Sequence, residues 1–232
     1  MVTLIVSDVH LGSPLSRAKE LLQLLKRGGF DRLILLGDMF SDMNFARLRK
    51  EDFQLIDYIR KLSNPKRGIE EVWIGGNHDF KIIDVMSHLV GIPAYEKYTW
   101  EWNGRTCVAI HGHQFDGLLA SNPWYGKLIS FLYLEVQKIA FMRRLICVWL
   151  DKVSAKWQRL TPVVAERALA YARKHAYDVI FCGHTHEAWH EKLGITSYYN
   201  TGAWVGPECT YVWMTDNTIE LRKFEVTPQN VD

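Results

Sequence analysis

The sequence predicts an α/β fold in which two β-sheets are covered by helices. Short apolar runs alternate with amphipathic segments of helical periodicity over residues 1–90, as in layered α/β proteins. Asn103-Gly104 lies between two strand-like runs and predicts a tight hairpin, so antiparallel strands join the parallel ones. At 232 residues, with 48% apolar and 23% charged side chains, the chain suits one domain with its own core.

The first half of the chain reads as strands and helices in turn. The apolar run at 3–7 predicts a strand. Ser13-Pro14 resembles an N-cap followed by proline at the first helical position, so a helix is predicted to begin there and to end at Gly28-Gly29. The same order then repeats, with predicted strands at 33–37 and 71–75 and predicted helices at 50–62 and 81–89.

The second half is predicted to hold most of the antiparallel strands. Two of them flank the Asn-Gly turn, and Asp216-Asn217 predicts another tight turn. Between these regions, 117–174 has no strand pattern and is predicted to form a helical insert, or lid, within a single domain spanning 1–232. The predicted strands are 99–102, 106–110, 177–182, 197–200, 210–214 and 218–226.

The predicted insert is strongly basic. Residues 117–174 contain ten Lys and Arg against three Asp and Glu, which leaves the rest of the chain net acidic. The stretch 128–150 is mostly apolar, but charged residues interrupt it, which argues against a membrane-spanning helix. Two interpretations stay open: a helical hairpin packed on the body of the protein, or a surface over 124–157 that makes peripheral membrane contact.

The compartment is predicted from the cysteines and the N-terminus. The four cysteines are widely separated, and Cys107 and Cys182 lie in predicted buried strands, so small core thiols in a reducing compartment are expected. The chain enters a strand at once, with no signal segment before it, which predicts a cytoplasmic protein, in one interpretation peripheral on the inner face of the membrane. The formal net charge of +2 is too small to indicate nucleic-acid binding by itself.

Five polar clusters follow the predicted strands, and they hold six of the nine histidines. Taken singly, each has a plain structural explanation, such as a turn or a helix cap. Taken together, each after a buried strand, they predict one site, because the tips of neighbouring strands converge. The clusters are Asp8-Val9-His10, Gly37-Asp38, Gly76-Asn77-His78-Asp79, His111-Gly112-His113 and Gly183-His184-Thr185-His186.

The donor types in these clusters predict two divalent metal ions. Carboxylate, imidazole and amide donors without thiolate suit Mn²⁺, Fe or Zn²⁺. Asp38 is the natural bridge, because one carboxylate can bind two ions held about 3.5–4 Å apart, as in two-metal hydrolytic sites. Asp8, His10 and one terminal histidine would complete the first ion. Asn77, His111 and the other terminal histidine would complete the second.

The charge of this site favours an anionic substrate. Two divalent ions, the carboxylates of Asp8 and Asp38, and a hydroxide sum to about +1, which suits a phosphate ester. His78 is the candidate general acid for the leaving oxygen, with Asp79 as the carboxylate that fixes its tautomer. The metal count gives no role to four further residues near the clusters, which are Asp42, His113, Asp116 and His190.

Over residues 8–186 the five clusters resemble the signature of the calcineurin-like metallophosphoesterases. The resemblance implies an αββα sandwich of two mixed β-sheets flanked by helices, here with a helical insertion, and a dinuclear site that commonly uses Mn²⁺. Position by position, it implies one ion on Asp8, His10, Asp38 and His186. It implies the other ion on Asp38, Asn77, His111 and His184.

A narrower resemblance concerns the substrate. The insert, the chain length and the phrase Tyr199-Asn200-Thr201-Gly202-Ala203-Trp204-Val205 are similar to the UDP-2,3-diacylglucosamine diphosphatases of lipid A biosynthesis. The chain departs from them at His78, where they carry arginine, at His113, where they often carry an acidic residue, and at Ala203, where aspartate is expected. This resemblance implies hydrolysis of a pyrophosphate or phosphodiester bond in a nucleotide-linked lipid.

Two other functions remain open from the sequence. The first is a soluble phosphodiesterase, nuclease or phosphomonoesterase whose basic insert binds phosphates. The second is a non-catalytic scaffold of the same fold that offers the insert to a protein partner. The complete set of metal donors counts against the scaffold.

Overall fold

In the computed structural model, two β-sheets pack face to face, with helices against their outer faces, which confirms the predicted α/β fold. The structure describes residues 1–42, 44–79, 83–116 and 160–225. The helices are α1 (Ala18–Arg27), α2 (Lys50–Leu62), α3 (Ile83–Val90) and α4 (160–174). The strands are β1 (Thr3–Val6), β2 (Arg32–Leu36), β3 (Glu70–Ile74), β4 (Ala94–Tyr95), β5 (Lys97–Trp102), β6 (Arg105–Ile110), β7 (Val179–Cys182), β8 (Ala188–Leu193), β9 (Thr196–Thr201), β10 (Thr210–Met214) and β11 (Ile219–Lys223).

Both sheets mix parallel and antiparallel pairing. The first has the order β11-β10-β1-β2-β3-β4, with β1 to β4 parallel and β10 and β11 antiparallel to their neighbours. The second has the order β5-β6-β7-β9-β8, in which β6, β7 and β9 are parallel and the two edge strands are antiparallel. Each sheet thus contains a run of parallel strands, β1 to β4 in the first and β6, β7 and β9 in the second, and the carboxyl ends of these strands define one edge of the sheet.

Three apolar layers hold these elements together. The central layer lies between the sheets and includes Ile34 and Ile74 from the first sheet and Phe181 from the second. One outer layer packs α1, α2 and α3 against the first sheet. The other packs α4, through side chains such as Ala168, against the second sheet. Strands buried on both faces explain the nearly continuous apolar runs in the sequence.

The sequence correctly predicts the Asn-Gly hairpin. Asn103 and Gly104 have φ angles of 50° and 72°, and they join β5 to β6 in an antiparallel pair. Positive φ at both central residues is the geometry that this dipeptide favours. Cys107 and Cys182 are buried free thiols, as predicted.

Two local predictions are wrong. α1 begins at Ala18 and not at Ser13-Pro14, because Ser16 forms a β-bridge with Val205 and the backbone N–H of Arg17 donates to the Trp204 carbonyl. Pairing with a distant segment here outweighs the local capping signal. β8 was not predicted, because its sequence Ala-Trp-His-Glu-Lys-Leu lacks a clear apolar alternation. It forms as a hairpin with β9.

The predicted insert falls mainly outside the described residues. Residues 117–159, and with them the whole stretch 124–157 assigned to membrane contact, lie there. The described part of the predicted insert, 160–174, is helical as expected. Within the ranges that the structure describes, no helix combines the length and the apolar character needed to cross a bilayer.

Glu71 gives the fold a testable pH dependence. Its side chain is buried on β3, and neither carboxylate oxygen has a hydrogen-bond partner among the described residues. Burial raises the pKa of Glu71 from 4.5 to about 8. The folded state therefore keeps a proton that the unfolded chain releases. The free energy of unfolding falls as the pH rises from 4.5 towards 8.

We expect Glu71→Gln, which resembles the protonated side chain at every pH, to raise the midpoint of thermal unfolding by at least about 3 °C at pH 8. At pH 5 the change should be much smaller. The measurement is thermal unfolding of both proteins, freed of metal, at the two pH values. An equal shift at both would show that ionisation of Glu71 is not the cause.

Candidate metal centre

The polar clusters meet at the edge defined by the carboxyl ends of the parallel strands. Asp8 and His10 follow β1, Asp38 follows β2, and Asn77 and His78 follow β3. From the second sheet, His111 follows β6, and His184 and His186 follow β7. The two sheets thus supply the two halves of one centre.

Three groups of donor atoms lie close enough to hold a metal ion. Within each group, one donor atom from every residue lies within 4.8 Å of the others. Asp38 belongs to two of the groups and His10 to two, so the groups form one continuous cluster. The groups are Asp8 with His10 and His186, His10 with Asp38 and His78, and Asp38 with His111 and His184.

Asp38 is the centre of this cluster. Its Oδ2 atom lies 3.3 Å from Nε2 of His111 and 3.9 Å from Nε2 of both His10 and His78. Asp8 has the corresponding place on the other side, with Oδ1 3.2 Å from Nε2 of His186. The carboxylates of Asp8 and Asp38 are almost fully buried. A buried carboxylate surrounded by imidazole nitrogens is a strong donor for a cation.

Two buried atoms show that the centre is fitted to a cation. Asp8 Oδ1 and His111 Nε2 make no well-aligned hydrogen bond among the described residues, although His186 Nε2 and Asp38 Oδ2 lie 3.2 and 3.3 Å from them. Their opposite atoms are fixed: the backbone N–H of His184 donates to Asp8 Oδ2 at 2.9 Å, and His111 Nδ1 lies 2.9 Å from the Leu36 carbonyl oxygen. Each side chain is therefore held from behind, with its other donor atom turned into the cluster. This is the arrangement that metal ligands require.

Both acidic groups remain ionised at neutral pH. Burial pushes the pKa of Asp8 upward, but His186 and the neighbouring imidazoles outweigh this and hold the pKa well below its usual value. The same balance, with His111 and His78 as the main opposing groups, lowers the pKa of Asp38. The centre thus presents two carboxylates to a cation.

The backbone of the centre is strained. Five of the seven non-glycine residues with positive φ in the described part of the chain belong to it: Asp8, His10, Asp38, His184 and His186. A left-handed conformation costs such residues about 1–3 kcal/mol each. The sharp turns direct successive side chains back to the same strand edge. The glycine at position 76 allows the loop after β3 to lie close to the loop after β2, since a Cβ at this position would collide with the Asp38 carboxylate.

His78 is placed to work beside the proposed ligands. Its backbone N–H donates to Asp38 Oδ1 at 2.8 Å, and its Nδ1 lies 2.8 Å from the Ser41 carbonyl oxygen. A carbonyl at that distance accepts a hydrogen bond from the Nδ1–H group, which leaves Nε2 to face the cluster. The half-buried ring also packs edge-on against His10 at a centroid distance of 4.9 Å.

Asp79 has a different place from the one predicted. The sequence suggested that it fixes the tautomer of His78, but its two oxygens accept the backbone N–H groups of Gly76 and Met39, each at 2.7 Å. Asp79 therefore ties the loop after β3 to the loop after β2, and the Ser41 carbonyl orients His78. Asn77 lies in the same turn, with an exposed side chain.

The sequence analysis missed Asp116. Its Oδ2 lies 3.2 Å from Nε2 of His184, and both residues are buried. Only the turn after β6 brings them together, so their spacing in sequence gives no signal. Among the other residues without a predicted role, Asp42 pairs with Arg47 at 2.7 Å, His190 stacks on Tyr199, and His113 lies with its ring centroid 5.6 Å from that of His111.

A second set of contacts, which the sequence did not predict, runs from the strand β9 to the loops of the candidate metal centre. Asn200 donates through Nδ2 to the Gly183 carbonyl at 2.6 Å, and the hydroxyl of Ser7 contacts Thr201 Oγ1 at 2.6 Å and donates to Asp8. The Asn-Thr-Gly phrase thus buttresses the loops that carry Asp8 and His184. These contacts explain the presence of the Asn-Thr-Gly phrase by its role in the fold, without reference to a particular substrate.

Comparison with known proteins agrees with this geometry. The sequence model of the calcineurin-like phosphoesterase superfamily domain matches residues 1–217. A search of curated protein sequences finds no match.

Solved structures with the same fold include a novel archaeal phosphodiesterase, which is 16% identical with a TM-score of 0.53 over 96% of this chain and 98% of that one. YfcE, a phosphoesterase from E. coli, is 15% identical with a TM-score of 0.53 over 97% and 100%. A single mutant of Vps29 from Entamoeba histolytica is 15% identical with a TM-score of 0.50 over 97% and 100%.

Proposed function

The chain belongs to the calcineurin-like phosphoesterase superfamily, and from this premise we propose that it hydrolyses a phosphodiester or pyrophosphate bond with the help of two divalent metal ions. The observation that carries the proposal is the position of Asp38, whose Oδ2 lies 3.9 Å from Nε2 of His10 and 3.3 Å from Nε2 of His111. A single carboxylate shared by two donor groups is the basis of a two-metal site.

The donors divide into two sets around Asp38. Asp8, His10 and His186 would hold the first ion, and His111 and His184 the second, each with Asp38 as the shared ligand. Asn77 is proposed as a ligand of the second ion. Its side chain is exposed in the turn after β3 and would have to turn inward to reach that ion. Oxygen and nitrogen donors without thiolate favour Mn²⁺, with Fe or Zn²⁺ as alternatives. When bound, the ions supply a hydroxide nucleophile near neutral pH and neutralise charge on the phosphoryl oxygens.

The protein side chains supply the proton for the leaving oxygen. With Nδ1–H of His78 donating to the Ser41 carbonyl, Nε2 faces the cluster, and the doubly protonated ring can transfer its Nε2 proton to the leaving oxygen and become a neutral imidazole. The Asp38 carboxylate accepts the His78 backbone N–H and so fixes the histidine beside the proposed ligands. Asp8 and Asp38 together orient the imidazoles that surround them.

Metal removal tests this function. Exhaustive chelation should abolish hydrolysis of bis(p-nitrophenyl) phosphate, and Mn²⁺ should restore it, because the proposed reaction takes its nucleophile from water activated by the metal ions. The readout is release of p-nitrophenolate before chelation, after chelation and after reconstitution. Turnover that persists in the chelated, metal-free protein would refute the proposal.

The finer proposal is a nucleotide-linked lipid such as UDP-2,3-diacylglucosamine. It is supported by the sequence resemblance in the insert, the overall chain length and the phrase at 199–205. The expected result is release of UMP in mixed detergent micelles with Mn²⁺, at a rate well above that for bis(p-nitrophenyl) phosphate. Fast cleavage of soluble esters without turnover of the lipid would remove the lipid and leave the phosphodiesterase.

The alternatives give different results in the same assays. A soluble phosphodiesterase or nuclease should bind polynucleotide through its basic residues, with an affinity that falls steeply as salt is raised. A phosphomonoesterase should prefer p-nitrophenyl phosphate to the diester. A non-catalytic scaffold should bind ions without turning over any of these substrates.

A further inference from the structure

A buried contact with Asp116 holds the ring of His184, which is one of the ligands proposed for the second ion. Asp116 Oδ2 lies 3.2 Å from His184 Nε2, and both residues are 3% exposed. His184 is also fixed through its backbone, whose N–H donates to Asp8 and whose φ is 71°. The histidine is therefore held at the main chain by one carboxylate and at the ring by another.

The helix α4 contacts the residue that precedes Asp116. Asp116 ends the short turn His113–Phe115, where its backbone N–H donates to the His113 carbonyl at 3.2 Å. Arg167 of α4 donates through a guanidinium nitrogen to the Phe115 carbonyl at 3.0 Å. The Phe115 side chain packs into the apolar layer beneath α4. Arg167 and this layer thus hold Phe115, the backbone neighbour of Asp116.

The chemistry of the pair follows from which ring nitrogen the carboxylate contacts. An ionised carboxylate can only accept, so His184 must present N–H at Nε2, and Nδ1 keeps the lone pair. Nδ1 is then the ring atom left to bind a cation, and one ring nitrogen of His184 lies within 4.8 Å of donor atoms of Asp38 and His111. A carboxylate behind a metal-bound imidazole fixes the tautomer and raises the basicity of the ligand.

We propose that Asp116 is a positioning residue that strengthens binding of the second ion through His184, and that Arg167 connects α4 to this role. The inference deepens the proposed function and rests on its two-ion assignment. It assigns a role to α4, the described helix of the predicted insert. The packing of α4 against the second sheet determines how tightly the centre binds its second ion.

Metal binding to the purified protein, freed of metal, provides the test, since it needs no substrate. Isothermal calorimetry during titration with Mn²⁺ should show that the wild-type protein binds two ions. In Asp116→Ala the second dissociation constant should rise about 10–100-fold, the usual effect of losing such a partner, while the first stays within about twofold. Asp116→Asn, which keeps an acceptor oxygen but loses the charge, should show a smaller rise.

Two further variants separate positioning from general stability. Arg167→Gln should also weaken only the second ion, by less than Asp116→Ala, because it loosens the carboxylate without removing it. Glu71→Gln is the matched control, because Glu71 is also a buried carboxylate but lies on β3, at the end of the strand opposite the centre. This variant should change the stability and leave both dissociation constants unchanged.

The outcomes distinguish the inference from the function on which it rests. If Asp116→Ala binds both ions as tightly as the wild type, or loses both equally, the positioning role is refuted and the two-ion site stands. If the wild-type protein binds fewer than two ions, the proposed function fails, and the inference fails with it. Selective loss of the second ion supports both.

Discussion

Replacing Asp38 with asparagine is expected to remove the activity almost completely. In the wild-type protein the His78 backbone N–H donates to Asp38 Oδ1 at 2.8 Å. The asparagine side chain would keep an acceptor oxygen for this bond, so the loop should stay in place. It would lose the negative charge that two ions share. Charge stabilisation by a metal is worth several kcal/mol, so turnover of bis(p-nitrophenyl) phosphate should fall on the order of 10³-fold or more.

Metal content should fall together with activity in this variant, and elemental analysis after gel filtration measures it. Asp42→Asn is the matched control, because Asp42 lies in the same loop after β2, pairs with Arg47 and belongs to none of the three donor groups. It should retain both ions. Full metal content and full activity in Asp38→Asn would contradict the bridging role.

Replacing His78 with alanine is expected to slow hydrolysis without emptying the site. If Nε2 delivers the proton to the leaving oxygen, esters of poor leaving groups should lose about 10²- to 10⁴-fold in kcat. Esters of p-nitrophenol, which leaves without protonation, should lose far less. The measurement is kcat for a series of phosphodiesters whose leaving groups differ in pKa.

The competing role for His78 is that of a ligand, since its donor atom lies within 4.8 Å of those of His10 and Asp38. Loss of one ion from His78→Ala, with equal rate losses for every leaving group, would assign it to the metal and end its role as an acid. His88→Ala provides the control, because His88 is exposed on α3 and contacts the carbonyl of Asp84. Its rates should equal those of the wild type.

The sequence predicts the sheets and the convergence of the polar clusters, because both depend on the same local pattern. A buried strand needs a short apolar run, and the first residues beyond it are free to be polar, as at Asp8 after β1 and Asp38 after β2. The structure accordingly brings together Asp8, Asp38 and the histidines that follow β1, β3, β6 and β7.

The contacts around these donors could not be predicted, since they join segments that are distant in sequence. Ser41 and not Asp79 orients His78, because Asp79 is occupied by two backbone N–H groups that only the folded loops bring to it. Asp116 reaches His184 across 68 residues. The predicted start of α1 was wrong for the same reason: the bridge from Ser16 to Val205 is a tertiary contact.

The most direct test of the two-metal centre is anomalous diffraction from crystals grown with Mn²⁺. The account predicts two peaks about 3.5–4 Å apart, with the Asp38 carboxylate between them. One peak should lie against Asp8, His10 and His186, and the other against His111 and His184. A single peak, or manganese bound away from Asp38, would contradict it.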